Sequence, residues 1–221
     1  MIKACVFDLD GTLLDTIETI TYYLNRTLTR HGIAAVSSEE CKRFVGSGAR
    51  VLVERALSFR GIVDDEMTEK LLSEYRPDYD SDPYYLTKPY PGILELLDFL
   101  KDKGVPLAVI SNKPDTATGM ATRHFFGDRF TVVRGALSGV PLKPSGGALG
   151  DLPERLGVSA SEICYIGDSD VDVRFAKAFG AGMCIAVLWG FRGRSELVEA
   201  GADIFAENAS DIKELIFSKT V

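Results

Sequence analysis

Short apolar stretches rich in valine and isoleucine recur along the chain, and amphipathic segments separate most of them. The apolar stretches are IKACVF (2–7), VPLAVI (105–110), FTVVR (130–134), EICYIG (162–167), MCIAVL (183–188) and, more weakly, DIFAE (203–207). Residues 91–104 and 171–180 instead repeat their apolar positions at helical spacing, and each stops at a glycine. Near-continuous apolar strands that alternate with helices predict an α/β fold, a Rossmann-like parallel sheet with helices on both faces.

Residues 16–86 interrupt this alternation. Apolar residues recur at helical spacing from residue 17 to residue 28, Ser37 and Glu40 form a potential capping box, and 49–57 and 66–75 read as further helices. The segment 76–92 is rich in turn-forming residues. We therefore predict an all-helical insertion over 16–86, set into a catalytic core made of 1–15 and 87–221.

Composition excludes several classes of function. Of the 221 residues 46% are hydrophobic and the net charge is −7, so a large core is expected and a nucleic-acid surface is not. No apolar run is long enough to predict a membrane span, and the N-terminus lacks the layout of a signal peptide. The four cysteines include no close-spaced pair and mostly lie in strand-like runs. We expect a cytoplasmic protein whose cysteines are reduced.

Polar residues gather where the predicted strands end. They are Asp8 and Asp10 after the first strand, Ser111, Asn112 and Lys113 after the second, Lys143 beyond the third, and Asp168, Asp170 and Asp172 after the fourth. Each alone has a structural explanation, such as a turn, a helix cap or an exposed loop. Together they predict one site, because parallel strands present their carboxyl ends at the same edge of a sheet.

Phosphoryl transfer is the chemistry that needs this set. Clustered carboxylates are tolerated around Mg²⁺, which prefers oxygen ligands. Asp8 would be the nucleophile and form an aspartyl-phosphate, and Asp10 would act as general acid and then as general base. Ser111 and Lys143 would hold the phosphoryl oxygens.

Four short motifs resemble the signature of the haloacid dehalogenase superfamily. They are DLDGT (8–12), SN (111–112), KP (143–144) and GDSDVD (167–172). The resemblance implies that the insertion is a helical cap that selects the substrate. It also implies that Asp8, the backbone carbonyl of Asp10, and Asp168 bind Mg²⁺, with Asp172 nearby or acting through water. Thr12 and Asn112 would line the phosphate pocket.

Longer strings resemble phosphoglycolate phosphatases. They are FVGSGARVLVERAL (44–57), YPGILELL (90–97), AVISNKP (108–114), YIGDSDVDVRFAKAFG (165–180) and WGFR (189–192). The partner is then a small phosphorylated metabolite, with 2-phosphoglycolate as the first candidate, and the protein is a monomer or homodimer. The loop GSGAR (46–50) would supply Gly48 for a tight turn and Arg50 for the substrate carboxylate.

The shape of the lysine loop, the substrate and the class of function stay open at this point. The lysine motif of the family often continues as KP-x-P, whereas KPSGG follows here, so the loop behind Lys143 is not predicted. Close relatives with these strings differ in substrate, and pyrophosphatase or nucleotidase activity stays possible on this scaffold. A phospho-accepting receiver module, which also uses an acid pair and a lysine, is a further alternative. A dehalogenase is disfavoured, because it would lack an aspartate at position 10.

Overall fold

A computed structural model describes residues 1–217. Its main sheet has six strands: β1 (Ala4–Phe7), β4 (Leu107–Pro114), β5 (Val132–Ala136), β6 (Ile163–Gly167), β7 (Met183–Val187) and β8 (Ile204–Ala206). All neighbouring strands are parallel, and their order is β5-β4-β1-β6-β7-β8. The predicted α/β fold is confirmed.

Helices cover both faces of this sheet. They are α5 (Ile93–Asp102), α6 (Asp115–Phe126), α7 (Leu152–Leu156), α8 (Asp170–Phe179), α9 (Arg194–Glu199) and α10 (Ala209–Phe217). Alternate residues of β1 point to opposite faces, as the pleat requires. Cys5 and Phe7 pack in a cluster with α5 and α10, whereas Val6 packs in another with α7 and α8. Burial on both faces explains why β1 is apolar at every position.

Four helices follow β1 before α5 and the next strand of the main sheet. They are α1 (Ile17–Arg30), α2 (Ser38–Lys42), α3 (Ala49–Phe59) and α4 (Asp65–Ser81). Their apolar faces meet in a hydrophobic cluster of their own. The chain enters and leaves this helical unit through β2 (Leu14–Asp15) and β3 (Lys88–Pro89), which pair as an antiparallel ribbon. Ser37 and Glu40 form the predicted capping box of α2.

The end of α4 differs from the prediction. The sequence places a helix over 66–75 and a turn-rich segment after it, but α4 continues to Ser81 with Pro77 inside it. Proline removes a helical hydrogen bond and disfavours this conformation. Tertiary packing outweighs that preference, because Tyr75 and Tyr79 are both buried in the cluster of the helical unit.

Two findings bear on the remaining expectations. Cys5, Cys41 and Cys164 are buried and Cys184 is partly buried, and all four are free thiols. Within residues 1–217, no helix combines the length and the apolar character needed to cross a membrane.

Candidate active site

The carboxyl ends of β1, β4 and β6 lie side by side and carry the predicted residues. Asp8 follows β1, Ser111 lies near the end of β4, and Asp168 follows β6. All three line one cavity between the sheet and the helical unit. These three residues therefore converge at the floor of the cavity, as the sequence predicts.

Lys143 reaches the same place from the loop after β5. Its ammonium Nζ lies 2.9 Å from Oδ1 of Asp8 and 2.8 Å from Oδ1 of Asp172, and it donates a 3.0 Å hydrogen bond to the hydroxyl of Tyr165. Burial opposes its charge, but the two aspartates raise the pKa of Lys143 above its usual value. A permanently charged ammonium thus lies beside the predicted nucleophile.

Asn112 holds the backbone of Lys143, which lies in the loop whose shape the sequence did not predict. Its side-chain oxygen accepts a 2.9 Å hydrogen bond from the backbone N–H of Lys143, and its amide donates 2.9 Å to the carbonyl of the same residue. The same amide donates 3.0 Å to the carbonyl of Gly46 in the helical unit. Asn112 lines the cavity as predicted, but its polar atoms hold backbone, and the loop stays in place despite its glycines.

Asp172 binds the Lys143 ammonium and holds it in place. One carboxylate oxygen accepts from Lys143 and from the Tyr165 hydroxyl, and the other accepts a 2.6 Å hydrogen bond from the hydroxyl of Ser169. Burial opposes ionisation, but the Lys143 ammonium and these donors keep the pKa of Asp172 below its usual value. Asp172 is therefore an anion that positions Lys143.

Asp8, Asp168 and Asp172 form a tight acidic cluster. Each offers a carboxylate oxygen, and these oxygens lie within 4.8 Å of one another. Burial and the neighbouring Asp172 raise the pKa of Asp8 from 3.8 to about 8, although Lys143 opposes this. The same two causes raise the pKa of Asp168 to about 7. The cluster is short of positive charge.

A divalent cation fits this deficit, because the available donors are all oxygens of the kind that Mg²⁺ binds. The chain also leaves little room around the Asp168 carboxylate. A β-carbon added at Gly11, whose φ is +86°, or at Gly190 would overlap the Asp168 side chain. Thr12 donates 3.0 Å to one oxygen of that carboxylate, and the backbone N–H of Phe191 donates 2.8 Å to the other.

Thr12 therefore has a different place from the one predicted. It is fully buried and does not line the cavity. Its hydroxyl binds Asp168, and its carbonyl accepts a 3.1 Å hydrogen bond from the indole of Trp189. Its side chain holds an acid of the cluster and lies outside the cavity lining.

Arg50 is also placed differently. Its guanidinium pairs with Glu54 at 2.7 Å, with Asp65 at 3.6 Å and with Glu69, all within the helical unit. Gly48 lines the cavity, as predicted, but Arg50 does not. The structure therefore gives no support to the prediction that Arg50 binds the substrate carboxylate, because Glu54, Asp65 and Glu69 already surround its guanidinium.

Asp10 faces the helical unit and not the acidic cluster. Both of its carboxylate oxygens accept from the Lys113 ammonium, at 3.1 and 3.3 Å. The same ammonium contacts the hydroxyl of Tyr79 on α4. Asp10 therefore lies on the side of the cavity that the helical unit forms.

Several cavity residues were missed by the sequence analysis. They are Tyr75, Arg76, Tyr79 and Asp80 on α4, and Phe191 and Arg192 after β7, whereas Lys113 on β4 was grouped with Ser111 and Asn112 but given no role. The spacing of Tyr75 and Tyr79, one helical turn apart and in phase with the buried Leu71 and Leu72, is a signal that α4 continues. No local signal shows that this face of α4 turns toward Asp10.

A family model described as haloacid dehalogenase-like hydrolase matches residues 5–186. The chain belongs to this family. It is 35% identical to a phosphoglycolate phosphatase of Rhodospirillum rubrum over 208 residues, which cover 91% of this chain and 86% of the relative. It is 32% identical to phosphoglycolate phosphatase 1 of Pseudomonas aeruginosa, with 95% of this chain and 78% of the relative covered.

Solved structures agree with this assignment. A crystal structure of a candidate phosphoglycolate phosphatase from Lactobacillus delbrueckii subsp. bulgaricus superimposes with a TM-score of 0.92 at 34% identity. The superposition covers 97% of this chain and 98% of the other. The predicted superfamily is confirmed, and the chain is a hydrolase.

Proposed function

We propose that this hydrolase is a Mg²⁺-dependent phosphatase that cleaves a small phosphate monoester, with 2-phosphoglycolate as the first candidate. The observation that carries the proposal is the position of Asp8. Its carboxylate lies 2.9 Å from the Lys143 ammonium and belongs to an acidic cluster suited to a cation, at the floor of a cavity that the helical unit closes. A phosphoryl group placed there meets a nucleophile and positive charge together.

In the first half-reaction, an oxygen of Asp8 attacks the phosphorus atom and forms an aspartyl-phosphate. The bond from phosphorus to the leaving oxygen breaks, and Asp10 gives that oxygen a proton. Lys143 neutralises charge on the phosphoryl oxygens. The hydroxyl of Ser111, which accepts a 3.3 Å hydrogen bond from the N–H of Lys113, can donate its proton to one of them.

In the second half-reaction, Asp10 takes a proton from water, and the resulting hydroxide attacks the phosphorus atom. Inorganic phosphate leaves, and the Asp8 carboxylate is regenerated. Asp8, Asp168 and the carbonyl of Asp10 are the groups we assign to Mg²⁺, which when bound supplies positive charge to a transferring phosphoryl group.

The helical unit, residues 16–86, is proposed as the cap that selects the substrate, with 1–15 and 87–221 as the catalytic core. The core residues described above contact the phosphoryl group, which all phosphate esters share. Ten residues of the helical unit line the opposite wall of the cavity: Ile20, Val45, Gly46, Gly48, Ala49, Leu52, Tyr75, Arg76, Tyr79 and Asp80. The leaving group must lie against this wall.

The test is a release assay for inorganic phosphate over a panel of esters, with and without Mg²⁺. We expect 2-phosphoglycolate to give the highest kcat/KM and chelation to abolish turnover. Pyrophosphate or a nucleotide as the best substrate would favour the alternatives on this scaffold. A stable acyl-phosphate without phosphate release would instead favour a receiver module, and no release from any ester would overturn the proposal.

Two matched variants test the nucleophile. Asp8→Asn keeps the shape of the side chain and removes its charge, and we expect turnover to fall by at least roughly 10³-fold with the circular dichroism spectrum unchanged. Asp170→Asn, in the segment that carries Asp168, should stay near the wild-type rate because Asp170 only pairs with Arg174 at 3.3 Å. An Asp8→Asn enzyme with a tenth of wild-type activity would contradict the assignment.

A further inference from the structure

Lys113 is a buried ammonium for which the mechanism above has no step. Its side chain is only 3% exposed, and its Nζ contacts both oxygens of Asp10 and the hydroxyl of Tyr79. The ammonium also lies 4.5 Å from the centroid of the Tyr79 ring, which is a favourable cation–π distance. Lys113 thus joins Asp10, the proposed acid/base that follows β1, to α4 of the helical unit.

The ammonium keeps capacity for another partner. A lysine has three N–H donors, and one stays available when the two oxygens of Asp10, at 3.1 and 3.3 Å, share a single N–H and the Tyr79 hydroxyl takes another. Lys113 also lines the cavity, on the side where the leaving group must lie. A third acceptor supplied by a substrate would complete its coordination.

The short reach from Asp10 limits what that acceptor can be. To protonate the leaving oxygen, Asp10 must lie within about 2.7–2.8 Å of it. Lys113 lies 3.1 Å from the same carboxylate. An anionic group one carbon away from the leaving oxygen can therefore come within hydrogen-bonding range of Lys113.

The other cations of the cavity are less suited. Among residues 1–217, three basic side chains line it, namely Arg76, Lys113 and Arg192. The guanidinium of Arg192 is occupied by the carbonyls of Lys42 and Val45. Arg76 is exposed on α4, where solvent weakens a charge pair.

We propose that Lys113 determines specificity by binding a carboxylate on the leaving group of the substrate, with Tyr79 orienting the ammonium. This inference rests on the proposed phosphatase function and deepens it, because it names the substrate class as short phosphate esters with an adjacent carboxylate. The substrate carboxylate and the Asp10 carboxylate would both accept hydrogen bonds from the Lys113 ammonium. Because the pair is buried, its loss is costly, in contrast to that of an exposed ion pair.

The test compares two esters with the same two-carbon leaving-group backbone, 2-phosphoglycolate and 2-hydroxyethyl phosphate. We expect the wild-type enzyme to prefer the carboxylate, and Lys113→Met to lower kcat/KM for 2-phosphoglycolate at least about 30-fold more than for 2-hydroxyethyl phosphate. Lys113→Arg should recover part of the preference. Arg76→Met, which removes the exposed cation of the same cavity, should change the ratio less than about threefold.

The outcomes separate the two proposals. Equal losses on both esters would mean that Lys113 serves only to place Asp10, and the specificity role would be wrong. A wild-type enzyme that hydrolyses both esters equally also overturns that role and leaves the phosphatase function standing, even if Lys113→Met does not fold. An enzyme that releases phosphate from no ester overturns both.

Discussion

At the scale of single residues, the close approach of the Gly190 backbone determines how the Asp168 carboxylate is held. Gly190 lies so close that an added β-carbon would meet both the Asp168 side chain and, at 2.5 Å, the carbonyl oxygen of Gly11. The backbone N–H of Phe191 can then donate to Asp168 from the next position along the chain. Glycine at 190 is therefore a requirement of the acidic cluster and not of a turn.

We predict that Gly190→Ala displaces Asp168 and weakens Mg²⁺ binding. Overpacking of this kind costs about 1–3 kcal/mol, so the Mg²⁺ concentration for half-maximal activity should rise roughly fivefold or more. A titration of activity with Mg²⁺ measures this. Gly119→Ala on α6 is the control, because nothing lies within 4 Å of its added β-carbon and alanine favours a helix. An unchanged Mg²⁺ requirement in Gly190→Ala would refute the argument.

At the scale of elements, side chains of the core hold the helical unit through hydrogen bonds to backbone carbonyls of that unit. Arg192, after β7, donates 2.7 Å to the carbonyl of Val45 and also binds the carbonyl of Lys42 at the end of α2. Asn112 binds the neighbouring carbonyl of Gly46. These contacts hold the segment 42–46 over the cavity without using its side chains.

We predict that Arg192→Gln loosens this segment. Hydrogen bonds from a charged donor contribute about 1.5–3 kcal/mol, so amide hydrogen exchange over 42–48 should become roughly 10-fold to 100-fold faster. Arg194→Gln is the matched control, because Arg194 is exposed and stacks on the ring of Phe205. Equal protection of 42–48 in the wild type and in Arg192→Gln would show that packing alone holds the helical unit.

For the whole molecule, the acidic cluster links stability to pH and to metal. The pKa of Asp8 rises from 3.8 to about 8 and that of Asp168 to about 7, both through burial and Asp172. Between about pH 4 and these raised values, Asp8 and Asp168 keep their protons in the folded chain, whereas the same carboxyl groups have released theirs in the unfolded chain. The stability that these two groups contribute is therefore present below about pH 4 and is lost as the pH rises toward 8.

We predict that Mg²⁺ stabilises the protein more at pH 8 than near pH 5. Protons and the cation compete for the same carboxylates, so binding, and with it the rise in Tm, strengthens as the protons leave. Thermal unfolding with MgCl₂, against NaCl at equal ionic strength, measures the difference. Asp168→Asn should lose it, whereas Asp98→Asn, which removes an exposed acid paired with Arg129, should keep it. A Tm shift independent of pH would contradict the linkage.

The sequence by itself determined the parallel sheet, the helical insertion and the floor of the site. These depend on local patterns, since apolar periodicity sets strand and helix, and a residue that follows a parallel strand must lie at its carboxyl edge. Asp8, Ser111 and Asp168 could be placed in this way. Lys143 was assigned to the same site, but the shape of the loop that carries it was not predicted.

Only the tertiary structure decided which side chains face each other across the cavity. Burial of Tyr75 and Tyr79 carries α4 past Pro77, and this brings Tyr79 to Lys113. Three acids of the helical unit surround Arg50 and keep it out of the cavity. Such contacts join residues that are far apart in the chain, and their free energy depends on packing and charge in three dimensions, which no local pattern of residues encodes.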